Sequence, residues 1–177
     1  MLAVLQGLTE FLPVSSSGHL LLPAALFGWQ DQGLTLDIAV HLGTLAAVIL
    51  YLRRDLMGLV AGSYKWLLKR EESYESRLAL KLIVATLPAG LAGLALRAVI
   101  EANARSLAIV AATSIIFAVL LWLADRSGAR RANAVPFSEL TVPGALFIGV
   151  AQAFALIPGT SRSGVTMTAA RFLGLTR

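Results

Sequence analysis

Between Arg105 and Asp125 the chain runs from Ser106 to Ala124 without a single charge. As a helix that run is roughly 28 Å long, close to the ~30 Å hydrocarbon core of a bilayer. Inside lipid every backbone N–H and C=O must be satisfied within the protein, so a spanning segment of this kind is helical. The composition agrees. Of 177 residues, 57% are hydrophobic and 14% are charged, whereas an ordinary soluble domain is about 25% charged. Mean hydropathy is +0.76. At about 20 residues per span, a chain of this length holds roughly four to six crossings, and residues 1–177 read as one integral membrane domain.

Two further runs read as spans. Leu34 to Leu52 carries Asp37 and His41; Leu78 to Ile100 carries Lys81 and Arg97, which can snorkel, with Pro88, Gly90 and Gly93 softening the helix. Leu56 to Leu68 is shorter, and Lys65, Lys69 and Arg70 around it suggest a helix lying in the interface. The net charge of +5 comes from cations between apolar runs, which act as orientation signals and not as a nucleic-acid surface. Seven Lys or Arg lie between Arg53 and Lys81, two between Arg97 and Arg105, and three (Arg126, Arg130, Arg131) between Arg126 and Glu139. The first and third connections are therefore expected on the cytoplasmic side. The absence of cysteine excludes disulfides, thiolate metal sites and cysteine nucleophiles. Met1 to Glu10 lacks the basic start of a signal peptide, so no targeting segment is expected.

Two apolar segments are interrupted. Residues 1–27 contain Gln6 to Glu10 and then Pro13 to His19; residues 140–175 contain Pro158 to Gly164. Both read as broken, re-entrant helices, and irregular backbone at membrane depth survives only where protein or a water-filled cavity satisfies it. Two such breaks imply a buried polar site. They also match one another: at an offset of 146, Gln6 falls on Gln152, Ser15 on Ser161, Ser17 on Ser163 and Gly18 on Gly164. Three spans separate the copies, so the second enters the membrane upside down. The expected fold is an all-α membrane protein, a transmembrane helix bundle with two re-entrant broken helices in an inverted-topology repeat that meet near the midplane.

The breaks hold the groups that can do chemistry. Glu10, His19 and Arg162 are an acid, an imidazole and a permanent cation inside apolar segments, where ionisable groups mark function. A mere lock between Glu10 and Arg162 is the plainer reading, but it leaves the surrounding hydroxyls and glycines unexplained. Pro158 to Gly164 packs two glycines, three hydroxyls and Arg162 before a helix expected from Val165. Glycine lets backbone N–H groups approach an anion, and arginine grips phosphate bidentately, so Gly159, Ser161, Arg162, Ser163 and Gly164 read as a phosphate cradle. Ser15, Ser16, Ser17 and Gly18 repeat the theme more weakly. Gln6 and Glu10 share a helix face and suit a hard divalent cation, Mg²⁺ or Ca²⁺; alternatively, Glu10 orients His19. Asp37 and His41, also four apart, read as a buried hydrogen-bonded pair.

The strings QGLTEFLPVSSSGH, from Gln6 to His19, and PGTSRSGVT, from Pro158 to Thr166, resemble the two signature motifs of the undecaprenyl-diphosphate phosphatase family, the bacitracin-resistance proteins. The likeness extends through LDIAVHLGTLAAVILYLRR and covers essentially the whole chain. It implies hydrolysis of undecaprenyl diphosphate to the monophosphate that carries cell-wall precursors. It also implies a divalent cation and a site opening to the outer face of the bacterial inner membrane. Carried over, the acidic motif falls on Gln6 and Glu10, the hydroxyls on Ser15, Ser16 and Ser17, the histidine on His19, and the phosphate loop on Ser161, Arg162, Ser163 and Thr166. Gln6 stands where the family has Glu or Gln, and His41 where Gln is frequent. The family continues through further spans after its second motif, so a partial chain is expected. The partners expected are the prenyl diphosphate and membrane lipid, not nucleic acid, with a homodimer left open.

His19 is expected to perform the chemical step, because its imidazole changes charge near neutral pH. A serine or a water remains the alternative nucleophile. A secondary transporter or lipid flippase is the rival function, since broken helices and a midplane site serve transport as well.

Overall fold

A computed structural model describes residues 1–30, 33–103, 106–129 and 135–176. Arg105, Arg130 and Arg131, part of the orientation argument, lie outside the described residues. Apart from one isolated parallel bridge between Val135 and Leu175, the regular structure is helical among the described residues. The first broken segment forms α1 (Leu2–Thr9) and α2 (Ser16–Phe27); then come α3 (Gly33–Tyr51), α4 (Arg53–Lys69), α5 (Tyr74–Ala95), α6 (Arg97–Asn103) and α7 (Leu107–Ala129). The second broken segment forms α8 (Val142–Ala153), a 3-10 turn (Phe154–Leu156) and α9 (Arg162–Phe172).

By length and composition two helices suit a bilayer crossing, Tyr74–Ala95 and Leu107–Gly128, and α3 joins them only as a bent pair with α4. The bend is 73°. It turns α4 away from the direction of α3. The outward faces are apolar in the manner of lipid-exposed helices, with Ile83, Leu87 and Leu91 exposed on α5 and Ile115, Val119 and Trp122 on α7. Helix α5 begins four residues before the expected Leu78 because Ser73 and Ser76 form a reciprocal capping box. It stops at Ala95 rather than Ile100, and the last residues of the expected span belong to α6.

Small residues decide the packing. A Cβ on Gly149 would lie 2.5 Å from the carbonyl oxygen of Ala85 and 2.8 Å from its Cα, so α8 and α5 meet backbone to backbone. Without a hydrophobic force between helices in lipid, such close approach is what holds them together. Helix α9 lies on α7, where buried Arg171 stands 3.2 Å from Asp125 and its Nη1 donates to the Leu175 carbonyl at 2.7 Å. Gly128 makes room: a Cβ there would lie 2.6 Å from the guanidinium carbon. The buried cluster of Leu140, Ala145 and Leu175 closes the α5, α8 and α9 corner. These contacts fix the second broken segment against α5 and α7, while α1 packs on α2 and α3, and α2 on α7.

Candidate active site

The two breaks are built alike. Ser15 is extended and caps α2, its hydroxyl accepting from the Gly18 N–H at 3.1 Å and lying 3.1 Å from Ser17 Oγ. Ser161 does the same for α9, accepting from Gly164 N–H at 3.2 Å, with Ser163 Oγ 3.0 Å away. Three of the four identities found at the offset of 146, those of Ser15, Ser17 and Gly18 with their mates, thus belong to the caps of the repeat. The cap also explains why α9 begins at Arg162 and not at the expected Val165. The breaks meet: Ser163 Oγ donates to the Leu12 carbonyl at 2.7 Å, and Ser161 Oγ lies 3.4 Å from the same oxygen.

The pseudo-symmetry stops there. Pro158 stands where Leu12 stands in the first copy, yet its carbonyl accepts from Thr113 Oγ1 of α7 at 2.6 Å, and that of Gly159 from Ser114 Oγ at 2.9 Å. Gly159 has φ +87°, and a Cβ there would lie 2.5 Å from Val110 Cα and closer still to Thr113 Oγ1. A Cβ on Gly18 would come within 3.0 Å of the Val110 side chain. One turn of α7 is therefore wedged against both breaks.

Between the breaks is a polar cavity of about 100 Å³ lined by Glu10, Val14, Ser15, Ser16, Ser17, Ala155, Thr160, Ser161 and Arg162. The N-termini of α2 and α9 both border it and favour an anion. Ser16 Oγ donates to Glu10 Oε2 at 2.6 Å. Arg162 is exposed and forms no ion pair with Glu10 or another carboxylate among the described residues, so the simple lock is not what the structure contains. A guanidinium without a counter-ion at such a place is free to take a phosphate.

The sequence-derived set separates into groups. Glu10, Ser15, Ser16, Ser17, Ser161 and Arg162 converge on the polar cavity. Gly159, Gly164 and His19 line an adjoining apolar cleft of about 570 Å³ between α2 and α7, which also touches Leu22, Leu26 and Phe117. Val14, Ser15 and Ser161 border both spaces. Ser163 is spent on Leu12, and Thr166 Oγ1 lies 3.1 Å from both the Arg162 and the Ser163 carbonyls within its own helix. Gln6 is wholly buried beneath Glu10, donating to its Oε2 at 3.0 Å.

In both histidines Nδ1 is a donor, because a carbonyl can only accept. His19 Nδ1 donates to the Ser15 carbonyl at 2.6 Å, which leaves Nε2 as the ring's basic nitrogen. His41 Nδ1 donates to the backbone carbonyl of Asp37 at 2.6 Å, while its Nε2 reaches to 3.4 Å from Glu10 Oε2. So the histidine beside Glu10 is His41, and His19 is oriented by Ser15 instead. Spacing alone hid this, because an i, i+4 pair is equally well explained within one helix.

The donor set for a divalent cation is lean. Among the described residues no group of three or more His, Cys, Asp or Glu forms a metal cluster. Mg²⁺, however, commonly takes one or two carboxylates and completes its shell with waters and phosphate oxygens. Gln6 presents its amide nitrogen to Glu10, and its Oε1 is buried without a hydrogen-bond partner. A half-turn of that amide would set two oxygens side by side, and in that arrangement Glu10 and Gln6 would suit a cation that is shared with a phosphate.

A family model described as bacitracin resistance protein BacA matches residues 1–177. The chain is 54% identical over 177 residues to an undecaprenyl-diphosphatase of Hahella chejuensis, covering 100% of this chain and 65% of that protein. It is 52% identical over 176 residues to one of Saccharophagus degradans, covering 99% and 65%. One of Aliivibrio salmonicida is 49% identical over 176 residues, again covering 99% and 65%. The chain thus spans about 65% of the length of these curated relatives.

Proposed function

The chain belongs to the bacitracin resistance protein BacA family, and from that premise we propose that this protein removes the terminal phosphate of undecaprenyl diphosphate, yielding undecaprenyl phosphate and inorganic phosphate. The observation that carries the reading is the pairing of spaces. A polar cavity sized for a phosphate group and a far larger apolar cleft lie side by side, with Val14, Ser15 and Ser161 lining both. A charged head on a long hydrocarbon tail matches that pairing, and a water-soluble phosphate ester has no use for the cleft.

In this reading Arg162 and the two helix N-termini bind the terminal phosphate and offset its developing charge. His19 borders the apolar cleft on the far side of Ser15, so its Nε2, with the other nitrogen pinned by Ser15, supplies the lone pair to a phosphorus held beside Ser15, where the two spaces adjoin. It attacks phosphorus directly or takes the proton of an attacking serine or water. As the new bond to phosphorus forms, the bond to the bridging oxygen breaks, and that oxygen leaves with the prenyl monophosphate; where histidine or serine attacks, water then displaces the phosphoryl group from the enzyme and releases inorganic phosphate. Glu10, bonded to Ser16, holds that hydroxyl and is positioned to receive its proton. A divalent cation held by Glu10 and Gln6 would supply further charge neutralisation on the phosphate oxygens. The placement of Lys and Arg supports a multi-pass membrane protein, and the family resemblance implies the bacterial inner membrane and a site open to the outer face. The flippase alternative gains no support from the relatives, which are named as phosphatases.

The test is phosphate release from undecaprenyl diphosphate by the purified protein in detergent with Mg²⁺. Turnover that is lost in Arg162→Ala supports the reading. Transfer of the lipid between the leaflets of reconstituted vesicles, with no phosphate release in either preparation, would overturn it.

A further inference from the structure

We propose that Thr160, a residue of the second break, donates its hydroxyl to the bound phosphate. Thr160 is only 6% exposed, it lines the polar cavity, and its Oγ1 has no hydrogen-bond partner among the described residues. Leaving a buried hydroxyl unpaired is unfavourable by about 1–3 kcal/mol. A fold retains such a group where something absent from the protein alone completes it.

The hydroxyl has no easy way to pair internally. On one side the Pro158 and Gly159 carbonyls are held by Thr113 and Ser114, and Gly159 is pressed on Val110. On its own residue the N–H is spent on the Ile157 carbonyl at 3.1 Å, and on the other side Ser161 is fixed as the cap of α9. A β-branched side chain on so rigid a backbone has few rotamers left. The repeat adds a comparison. At the offset of 146 the mate of Thr160 is Val14, which lines the same cavity. Valine and threonine have nearly the same shape, so packing at these paired positions does not call for a hydroxyl. Around the cavity are Arg162, Ser17 and the α9 N-terminus, all suited to an anion, with Glu10 as its carboxylate. The ligand chemistry that fits is a phosphate oxygen. Thr160 thereby joins Arg162 as a substrate-binding residue, with Thr113 and Ser114 as positioning residues behind it.

This inference rests on the phosphatase reading for its substrate and can be tested apart from it. Thr160→Val removes the oxygen and keeps the shape, and Thr160→Ser keeps the oxygen. The measurements are thermal midpoint, inhibition by inorganic diphosphate with direct binding of that probe by calorimetry, and kcat/KM for undecaprenyl diphosphate. For Thr160→Val, a midpoint equal to or above that of the unmodified protein is expected. Diphosphate affinity and kcat/KM should each be about tenfold lower, the loss expected for a hydrogen bond to a charged group. Thr160→Ser should restore both. Unchanged diphosphate affinity in Thr160→Val would overturn the proposal, and so would a fall in midpoint matched by equal losses in Thr160→Ser. If the unmodified protein releases no phosphate yet Thr160→Val still weakens diphosphate binding, the phosphatase reading fails and this site stands.

Discussion

Replacing Gly159 by alanine adds one methyl group at the point where the second break presses on α7. Two separate costs follow. Gly159 has φ +87°, a conformation that disfavours an L side chain by about 1–2 kcal/mol. The new Cβ would also lie 2.5 Å from Val110 Cα, against backbone that has no room to give. Overpacking of that kind adds about 1–3 kcal/mol. Gly28 isolates the first cost, since its φ is +65° and nothing lies within 4 Å of its would-be Cβ. Gly159→Ala is therefore expected to destabilise by about 2–5 kcal/mol and Gly28→Ala by about 1–2 kcal/mol. For a chain of this size each kcal/mol moves the midpoint by about 2–4 °C. The assay is thermal unfolding of both variants in the same detergent, beside phosphate release at a temperature where both are folded. Turnover should fall further in Gly159→Ala, because the methyl shifts the backbone carrying Thr160 to Arg162, and small misplacement can lower rate about 100-fold. Equal midpoints for the two variants, or normal turnover in Gly159→Ala, would refute the claim that α7 sets the shape of this loop.

Arg162→Lys keeps the charge and loses the planar fork, so kcat/KM should drop about 100-fold or more with little change in midpoint, read by phosphate release. Near-normal turnover would mean that the local field suffices. His19→Ala should abolish most turnover, and rapid quenching with labelled substrate separates an acid-labile phosphohistidine from an acid-stable phosphoserine; an active His19→Ala protein would remove histidine from the chemical step. Ser163→Ala should lower the midpoint by a few degrees, through loss of about 1 kcal/mol in the bond to Leu12, whereas Ser17→Ala should act on KM instead. The opposite pattern would show that the two breaks do not divide their roles in this way.

The sequence by itself determined the solvent and the all-helical class. An uncharged run from Ser106 to Ala124 admits only a lipid-spanning helix, and the spacing between Ser15, Ser17, Gly18 and their mates marks the repeat. Those properties are local: they depend on which side chains lie along one segment. Helix ends were less legible, because they are set by individual caps such as Ser73 and Ser161 and not by hydropathy. The tertiary structure alone decided which hydroxyls of the two motifs are spent and which are free. Ser163 is consumed by Leu12, 151 residues away, and Pro158 is served by Thr113, 45 residues away, in a helix with no visible motif. It also set His41 rather than His19 beside Glu10 and left Thr160 facing a cavity without a partner. A hydroxyl carries the same single proton wherever it stands in the sequence. Whether that proton is already donated depends on acceptors that only the folded chain brings within 3 Å.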